Sequence, residues 1–232
     1  MAVRRNIIVG AAPPELATEF LGECHAIADW WLAYGQDLEN GGFWGEVAYN
    51  NVPKRDAPKS VILHTRVLWF FSTLALHTAE DSYREAARRA YQYLRERFID
   101  RNSGGVYWML NAGGEVIDGR KHTYAQAFAI YALSAYHEFS GDQEALNLAL
   151  MCFDMLEAHA RDHDHGGYFE AYGHNWGPLA DRRLSEKEDN SPKTMNTTLH
   201  VLEAFSGLGQ ALPADHERRR REQTNADTSH GA

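Results

Sequence analysis

The sequence predicts an all-α protein, and three observations indicate helical hairpins arranged as an (α/α) barrel. Long segments carry apolar residues with a period of about 3.6, which is typical of amphipathic helices. A Gly-Gly turn recurs at Gly41, Gly104 and Gly166, so the pattern returns after 63 and then 62 residues. Apolar helices also alternate with charged ones, as in an inner and an outer ring. A linear solenoid is the structural alternative because it uses the same repeat logic.

The predicted helices fall into two classes. The third and fifth are amphipathic and charged, which favours an outer position. The second, fourth and sixth are apolar on most sides and carry a few polar residues, which inner helices would direct towards a central cavity. Each Gly-Gly follows a polar run and precedes a short aromatic or β-branched stretch, which predicts a turn and a short strand. The helical segments are 14–36, 60–79, 81–99, 121–140, 142–161 and 194–208.

The length indicates one incomplete ring. The chain has 232 residues, and its 44% hydrophobic and 24% charged residues exclude a disordered or collagen-like chain. A closed ring of six such hairpins would need about 370 residues. Residues 1–212 are therefore expected to form about the first half of a single barrel domain. Residues 213–232 contain no Leu, Ile, Val, Phe, Tyr or Trp and are predicted to be a disordered polar tail.

Composition excludes several functional classes. The formal net charge of −9 argues against general binding to a nucleic-acid backbone. No apolar stretch approaches the length of a membrane-spanning helix, and the apolar run near the N-terminus is short for a signal peptide. Cys24 and Cys152 are expected to be reduced, buried thiols of a cytoplasmic protein. Aromatic residues make up 12%, which suits either sugar binding or an aromatic core.

Polar residues on the three apolar helices are the candidates for chemistry. Arg66 either faces a polar cavity or forms a salt bridge with an acid. His122 lies at the start of the fourth helix, and Tyr124 follows it. These two residues are either part of a functional site or simply a helix cap with core aromatics. Asn196 and His200 share one face of the sixth helix. The histidine is either functional, as an acid, a base or a hydrogen-bond donor, or a core residue whose hydrogen bonds are made within the protein.

No metal or cofactor is expected. His159, His163 and His165, with Asp162 and Asp164, resemble a metal cluster, but a solvated turn that leads into the third Gly-Gly is favoured. The sequence also has no phosphate-binding glycine loop and no dinucleotide fingerprint.

Four stretches together carry a family resemblance: residues 59–72, 121–133, 193–204, and 166–170 with Trp176. In combination they resemble the N-acylglucosamine 2-epimerase superfamily, and within it most closely the cellobiose 2-epimerases. The resemblance implies an (α/α)6 barrel that acts on reducing sugars without cofactor or metal. Members interconvert glucose and mannose units at C2, and relatives isomerise aldoses to ketoses.

The resemblance also implies a mechanism. After the sugar ring opens, one histidine removes the C2 proton, a cis-enediolate forms, and a second histidine returns a proton to the other face. In the family this pair lies on inner helices of the second half, beyond the end of this sequence, so little activity is expected of these 232 residues alone.

Site residues are carried over by position. His200 and Arg66 are expected to be catalytic, with His200 near O1, where it would help to open the ring or polarise the carbonyl. The family tends to have an Asp near Glu188, six to eight residues before the Asn, where this sequence reads Glu-Lys-Glu-Asp-Asn over residues 186–190. The residues expected to bind substrate are Tyr124, Asn196, Trp69, His122 and Glu188.

Alternative functions remain open. A non-catalytic sugar-binding half-barrel would dimerise through its exposed inner face. A mannose isomerase of the same superfamily is also compatible. A glycoside hydrolase or unsaturated uronyl hydrolase would need paired carboxylates, whereas these inner helices offer Arg, Tyr, Asn and His. In each case the expected partner is a small sugar with a free reducing end, without nucleic acid or membrane.

Overall fold

The computed structural model describes residues 14–184, 187 and 189–213. Glu188 and the predicted polar tail after its first residue, Pro213, lie outside the described residues. Within the described part, each predicted helical segment contains an α-helix. The helices are α1 (Pro14–Trp30), α2 (Val61–His77), α3 (Asp81–Tyr93), α4 (Thr123–Ser140), α5 (Gln143–Met155) and α6 (Met195–Ala211).

The helices form two layers. The inner layer consists of α2, α4 and α6, with α4 packed between the other two. In the outer layer, α3 packs against α2 and α5 packs against α4. Helix α1 contacts α3, where Nδ1 of His25 lies 2.7 Å from the Tyr83 hydroxyl. The alternation of apolar and charged helices in the sequence thus corresponds to the alternation of inner and outer helices.

Local sequence explains where the helices begin and end. The Ser60 hydroxyl accepts a hydrogen bond from the Leu63 N–H and so caps α2. The Thr194 hydroxyl caps α6 in the same way. At the start of α4 the equivalent residue is His122, whose side chain makes no capping hydrogen bond. Helix α4 ends at Gly141, which adopts the left-handed conformation that a C-terminal glycine allows.

Each outer helix ends in a π-helical turn that leads into a Gly-Gly pair. The π turns are Trp31–Gly35, Leu94–Phe98 and Leu156–Ala160. In all three Gly-Gly pairs both glycines have positive φ, which other residues adopt only with strain. At Gly42 a Cβ atom would also lie 2.6 Å from the ring of Tyr93, so this turn requires glycine for space as well.

The strands are shorter than the sequence pattern suggests. The residue after each Gly-Gly pair makes only one isolated antiparallel bridge, to the residue that follows the preceding π turn; these residues are Phe43, Val106 and Tyr168. The paired strands lie further along the chain and are two or three residues long. One sheet has the order β1-β2-β3 and the second pairs β4 with β5, both antiparallel. The strands are β1 (Lys59–Ser60), β2 (Met109–Leu110), β3 (Val116–Asp118), β4 (Lys121–His122) and β5 (Ala171–Tyr172).

An ion pair joins each Gly-Gly turn to the start of the next inner helix. We call these pairs the Asp–Lys clasps. In each one the second carboxylate oxygen of the aspartate accepts two backbone N–H groups of its own turn, which satisfies the buried charge. The clasps are Asp37–Lys59 (2.6 Å), Asp100–Lys121 (2.7 Å) and Asp162–Lys193.

The apolar core lies between the two layers. Leu68 and Phe71 from α2, and Ile130 and Leu133 from α4, are fully buried, as is Leu208 from α6. The outward side of the inner helices carries this core, which leaves their opposite side available for a site. Across the described residues, no helix combines the length and the apolar character that crossing a membrane requires.

Candidate functional site

A cavity of about 750 Å³ lies along the side of the inner helices that faces away from the core. All three inner helices contribute to its wall, and part of α1 closes one side. The wall combines aromatic and aliphatic side chains with a few charged groups, a combination that suits a sugar, whose faces present C–H groups and whose rim presents hydroxyls. Its polar and aromatic residues are Trp31, Ser60, Arg66, Trp69, Phe70, Phe128, Tyr131, His200 and Glu203.

The repeat brings corresponding positions of the inner helices into this cavity. When residues are counted from the lysine of each clasp, two positions recur in the cavity wall. The seventh residue after the lysine is Arg66, Phe128 or His200. The tenth residue is Trp69, Tyr131 or Glu203.

The first level of the wall centres on Phe128. The Arg66 guanidinium lies over its ring at 4.8 Å and donates a hydrogen bond to the Tyr124 hydroxyl at 3.1 Å. On the other side, the His200 ring lies 4.6 Å from Phe128 and meets Tyr124 edge-on at 4.9 Å. Arg66 lines the cavity, and among the described residues its guanidinium contacts Phe128 and Tyr124 rather than a carboxylate, as the cavity interpretation predicts.

The second level combines an aromatic stack with an acid. Trp69 and Tyr131 stack with ring centroids 5.5 Å apart. Burial, and then the charge of Glu203, raise the pKa of the Tyr131 hydroxyl, which keeps this group protonated as a hydrogen-bond donor. Oε2 of Glu203 lies 2.7 Å from Nδ1 of His200, which precedes Glu203 by about one helical turn.

The remaining predicted site residues are placed differently. Asn196 is exposed on α6, one turn before His200. His122 is fully buried and packs against the Trp108 ring at 4.4 Å. Burial lowers the pKa of His122 to about 4, so the ring is neutral, and neither ring nitrogen has a partner among the described residues. The structure thus brings Arg66, Tyr124 and His200 together with Trp69 and leaves His122 apart from the cavity wall.

Sequence reasoning did not single out Tyr131 and Glu203 of the wall as site residues. Both lie in stretches that carry the family resemblance, but an aromatic or an acid on a helix is ordinary in isolation. The signal that identifies them is their position, ten residues after the lysine of a clasp.

The histidine-rich turn after α5 has structural contacts. Asp162 accepts hydrogen bonds from Lys193 and from the backbone of its own turn. His159 stacks on the Trp176 ring with centroids 5.0 Å apart. Within the residues that the structure describes, no group of three or more histidine, cysteine or acidic side chains is placed to hold a metal ion.

Comparison with known proteins gives a consistent result. The family model for N-acylglucosamine 2-epimerase matches residues 42–205. A cellobiose 2-epimerase from Bacteroides fragilis is 43% identical over 182 residues, which are 78% of this chain and 46% of that protein. A D-mannose isomerase from Marinomonas mediterranea is 31% identical over 147 residues, which are 63% of this chain and 34% of that protein.

Solved structures support the same grouping. The structure of cellobiose 2-epimerase from Spirochaeta thermophila matches with a TM-score of 0.81 and 38% identity, covering 93% of this chain and 54% of that chain. The predicted fold class is confirmed, since the helical architecture is similar to about half of these (α/α)6 barrels. The chain spans about half the length of the relatives that it matches.

Proposed function

Because the chain belongs to the N-acylglucosamine 2-epimerase family, we propose that its cavity binds the reducing-end unit of a sugar such as cellobiose and contributes to epimerisation at C2. The observation that carries this proposal is that Arg66 and His200 line the same cavity and that both contact Tyr124. The similarity to cellobiose 2-epimerases supports the substrate class.

The wall of the cavity suits both binding and chemistry. The stacked rings of Trp69 and Tyr131 offer an apolar face to the C–H groups of a pyranose. In the open-chain form, removal of the C2 proton gives a cis-enediolate, whose negative charge lies on O1 and O2. The permanently charged Arg66 guanidinium stabilises that charge, and return of a proton to the other face of C2 gives the epimer.

A change of configuration requires proton transfer on both faces of C2. His200 is the only histidine among the described residues that line the cavity. By resemblance it belongs near O1, and the two proton-transferring histidines belong to the second half of the barrel. We therefore propose that these 232 residues bind the sugar but catalyse little or no epimerisation by themselves, without cofactor or metal.

Deuterium exchange tests this proposal. The purified chain is incubated with cellobiose in D2O, and NMR follows the proton at C2 of the reducing end, while line broadening of the sugar signals reports binding. Binding without exchange is the expected result. Absence of binding to a folded sample would overturn the proposed sugar site, and appearance of the mannose epimer would overturn the proposed lack of turnover.

An aldose–ketose isomerase of the same family is the second candidate. Its support is the similarity to the D-mannose isomerase, together with the fact that both reactions pass through the same enediolate. The two differ in which carbon receives the proton, since protonation at C1 gives a ketose. Formation of a ketose from mannose in the same NMR experiment would favour this candidate over the epimerase.

A second copy of the chain is the proposed protein partner. Large apolar side chains are exposed on α6, including Met195 and Leu199, and on α1, including Phe20 and Ile27. Such patches favour association. If α6 of each copy packed against α1 of the other, two copies would supply the six hairpins of a closed ring and two His200 side chains.

We also propose a cytoplasmic location. Its support is that Cys24 and Cys152 are both unpaired thiols, as is usual in a reducing compartment.

A further inference from the structure

The imidazole of His200 makes a hydrogen bond through Nδ1 only, among the contacts of the described residues. Its Nδ1 lies 2.7 Å from Oε2 of Glu203, which follows three residues later on α6. Since a carboxylate can only accept, a neutral His200 in this contact carries its proton on Nδ1. Its Nε2 then has a free lone pair, and no hydrogen-bond partner of Nε2 occurs in the described part of the chain.

The position of Glu203 distinguishes this contact from an ordinary pair on a helix surface. The corresponding residues of the other two inner helices, Trp69 and Tyr131, stack on each other in the cavity wall. An acid replaces the aromatic residue only in the helix that carries a histidine one turn earlier. Among the described residues that line the cavity, Glu203 provides the one carboxylate.

The other groups around His200 offer Nδ1 no substitute. Helix α4 contributes the rings of Tyr124 and Phe128, which contact the imidazole by their edges and faces. Helix α2 contributes Arg66 to the same cavity wall, and this cation donates hydrogen bonds and cannot accept them. Glu203 is therefore the group that fixes which nitrogen of His200 carries the proton.

We propose that Glu203 is a positioning residue, which accepts Nδ1–H of His200 and thereby presents Nε2 to the sugar as a proton acceptor. This proposal rests on the proposed function. In ring opening, Nε2 takes the proton of the anomeric hydroxyl, the C1=O1 double bond forms as the C1–O5 bond breaks, and the same proton returns to O5. The carboxylate stabilises the imidazolium that exists between these two transfers.

The tautomer of His200 is the direct readout. Long-range proton–nitrogen NMR spectra of ¹⁵N-histidine-labelled protein are recorded without sugar at pH 9, where an ordinary imidazole is neutral. A His200→Gln sample identifies the His200 signals. In the unchanged protein, Nε2 is expected in the range of an unprotonated ring nitrogen. In Glu203→Ala the Nε2 signal is expected to move into the N–H range, and Nδ1 to move the opposite way.

A matched control removes a glutamate from a similar pair elsewhere. Glu85 forms an i,i+3 ion pair with Arg88 on the exposed side of α3. Because alanine favours helix, both Glu85→Ala and Glu203→Ala are expected to fold, which circular dichroism verifies. Glu85→Ala should leave the His200 signals unchanged. An unchanged tautomer in Glu203→Ala would overturn the positioning role.

Titration with cellobiose separates this inference from the function on which it rests. In the unchanged protein the sugar is expected to shift the Nε2 signal, and this shift should be lost or strongly reduced in Glu203→Ala. If the tautomer depends on Glu203 but cellobiose shifts no His200 signal, the proposed sugar site is wrong. If cellobiose shifts His200 equally in both proteins, the positioning role is wrong.

Discussion

Arg66 illustrates how one side chain is held in place without burial. Its guanidinium is exposed to the cavity, yet it lies over Phe128 and donates to the Tyr124 hydroxyl. A cation–π contact at an exposed site contributes about 0.5–1 kcal/mol, enough to favour one orientation over the alternatives. The donor groups are thus arranged before a ligand arrives.

Replacement of Arg66 by alanine should weaken sugar binding without unfolding the protein. We expect the dissociation constant for cellobiose to rise about tenfold, equivalent to about 1.4 kcal/mol, because two preorganised donors are lost. The melting temperature should change little, since the side chain is exposed. Calorimetric titration measures the affinity, and Arg84→Ala on α3 is the control; equal affinity of Arg66→Ala and the unchanged protein would contradict the assignment.

His64 is a buried histidine that the fold uses in its neutral form. Its Nε2 accepts the Phe43 N–H at 3.3 Å, and its Nδ1 lies 2.9 Å from the Ser60 carbonyl oxygen. The ring is fully buried, and burial lowers its pKa from the ordinary value of 6.5 to about 4. Protonation would both place a charge in the core and remove the acceptor of the Phe43 N–H.

Stability should therefore fall in mild acid. An unfolded histidine binds its proton near pH 6.5 and folded His64 only near pH 4, so the stabilisation is present above pH 6.5 and is lost as the pH falls towards 4. Each such residue reduces the free energy of unfolding by up to about 1.4 kcal/mol per pH unit in this window. His122, whose pKa is also lowered to about 4, adds to the effect.

A glutamine at position 64 should remove part of this pH dependence. Gln126, five residues after the lysine of its clasp as His64 is, accepts the Val106 N–H at 2.8 Å through its amide oxygen. His64→Gln is therefore expected to keep the fold and to show a smaller loss of unfolding free energy between pH 7 and pH 5. Urea titrations at both pH values measure it, and an unchanged pH dependence would refute the role of His64.

At the level of structural elements, the Asp–Lys clasps connect each outer helix to the next inner one. Two of the pairs are fully buried, whereas the side chain of Lys193 in the third is 28% exposed. Although burial raises the pKa of the Asp100 carboxyl, hydrogen bonds from Lys121 and from the turn lower it below its ordinary value. The Asp100 carboxyl is therefore ionised in the folded protein.

Asparagine substitutions should rank the clasps by burial. Asp100→Asn keeps an oxygen for the turn but leaves Lys121 as an uncompensated buried charge, a defect that costs about 3–5 kcal/mol. Asp162→Asn should cost clearly less, because water reaches Lys193. Urea unfolding of the two variants gives both values, and equal destabilisation would show that burial of the lysine does not control the effect.

The sequence predicted the helices well because their periodicity is local, and the Gly-Gly turns because positive φ selects glycine. It did not predict the clasps or Glu203, for a traceable reason. Counted from the first glycine of each pair, the clasp lysine follows after 18 residues at Lys59 and after 17 at Lys121, but after 27 at Lys193. The longer third connection hides the register that aligns the inner helices, and only the folded chain reveals which positions correspond.

At the level of the whole molecule, the exposed apolar residues of α1 and α6 predict self-association. Leu199 and Leu202 lie on α6 and are exposed although they are large and apolar. The double variant Leu199→Glu, Leu202→Glu should be monomeric where the unchanged chain is dimeric, because charges oppose burial at an interface. Light scattering after gel filtration measures the mass, and Ile117→Glu on β3, also exposed, is the control. A monomeric unchanged chain would exclude the second copy as partner.

The partial exposure of the third clasp has a kinetic consequence. Amide hydrogens exchange with solvent through local openings, which occur most readily where few buried contacts must break. The connection before α6 is held by Lys193, the one clasp lysine that water reaches. The clasp lysines before α2 and α4 are buried. Among the three inner helices, deuterium should therefore enter first at the start of α6, next to Asp162, and last in α2 and α4. His200 would then lie on the inner helix that opens soonest.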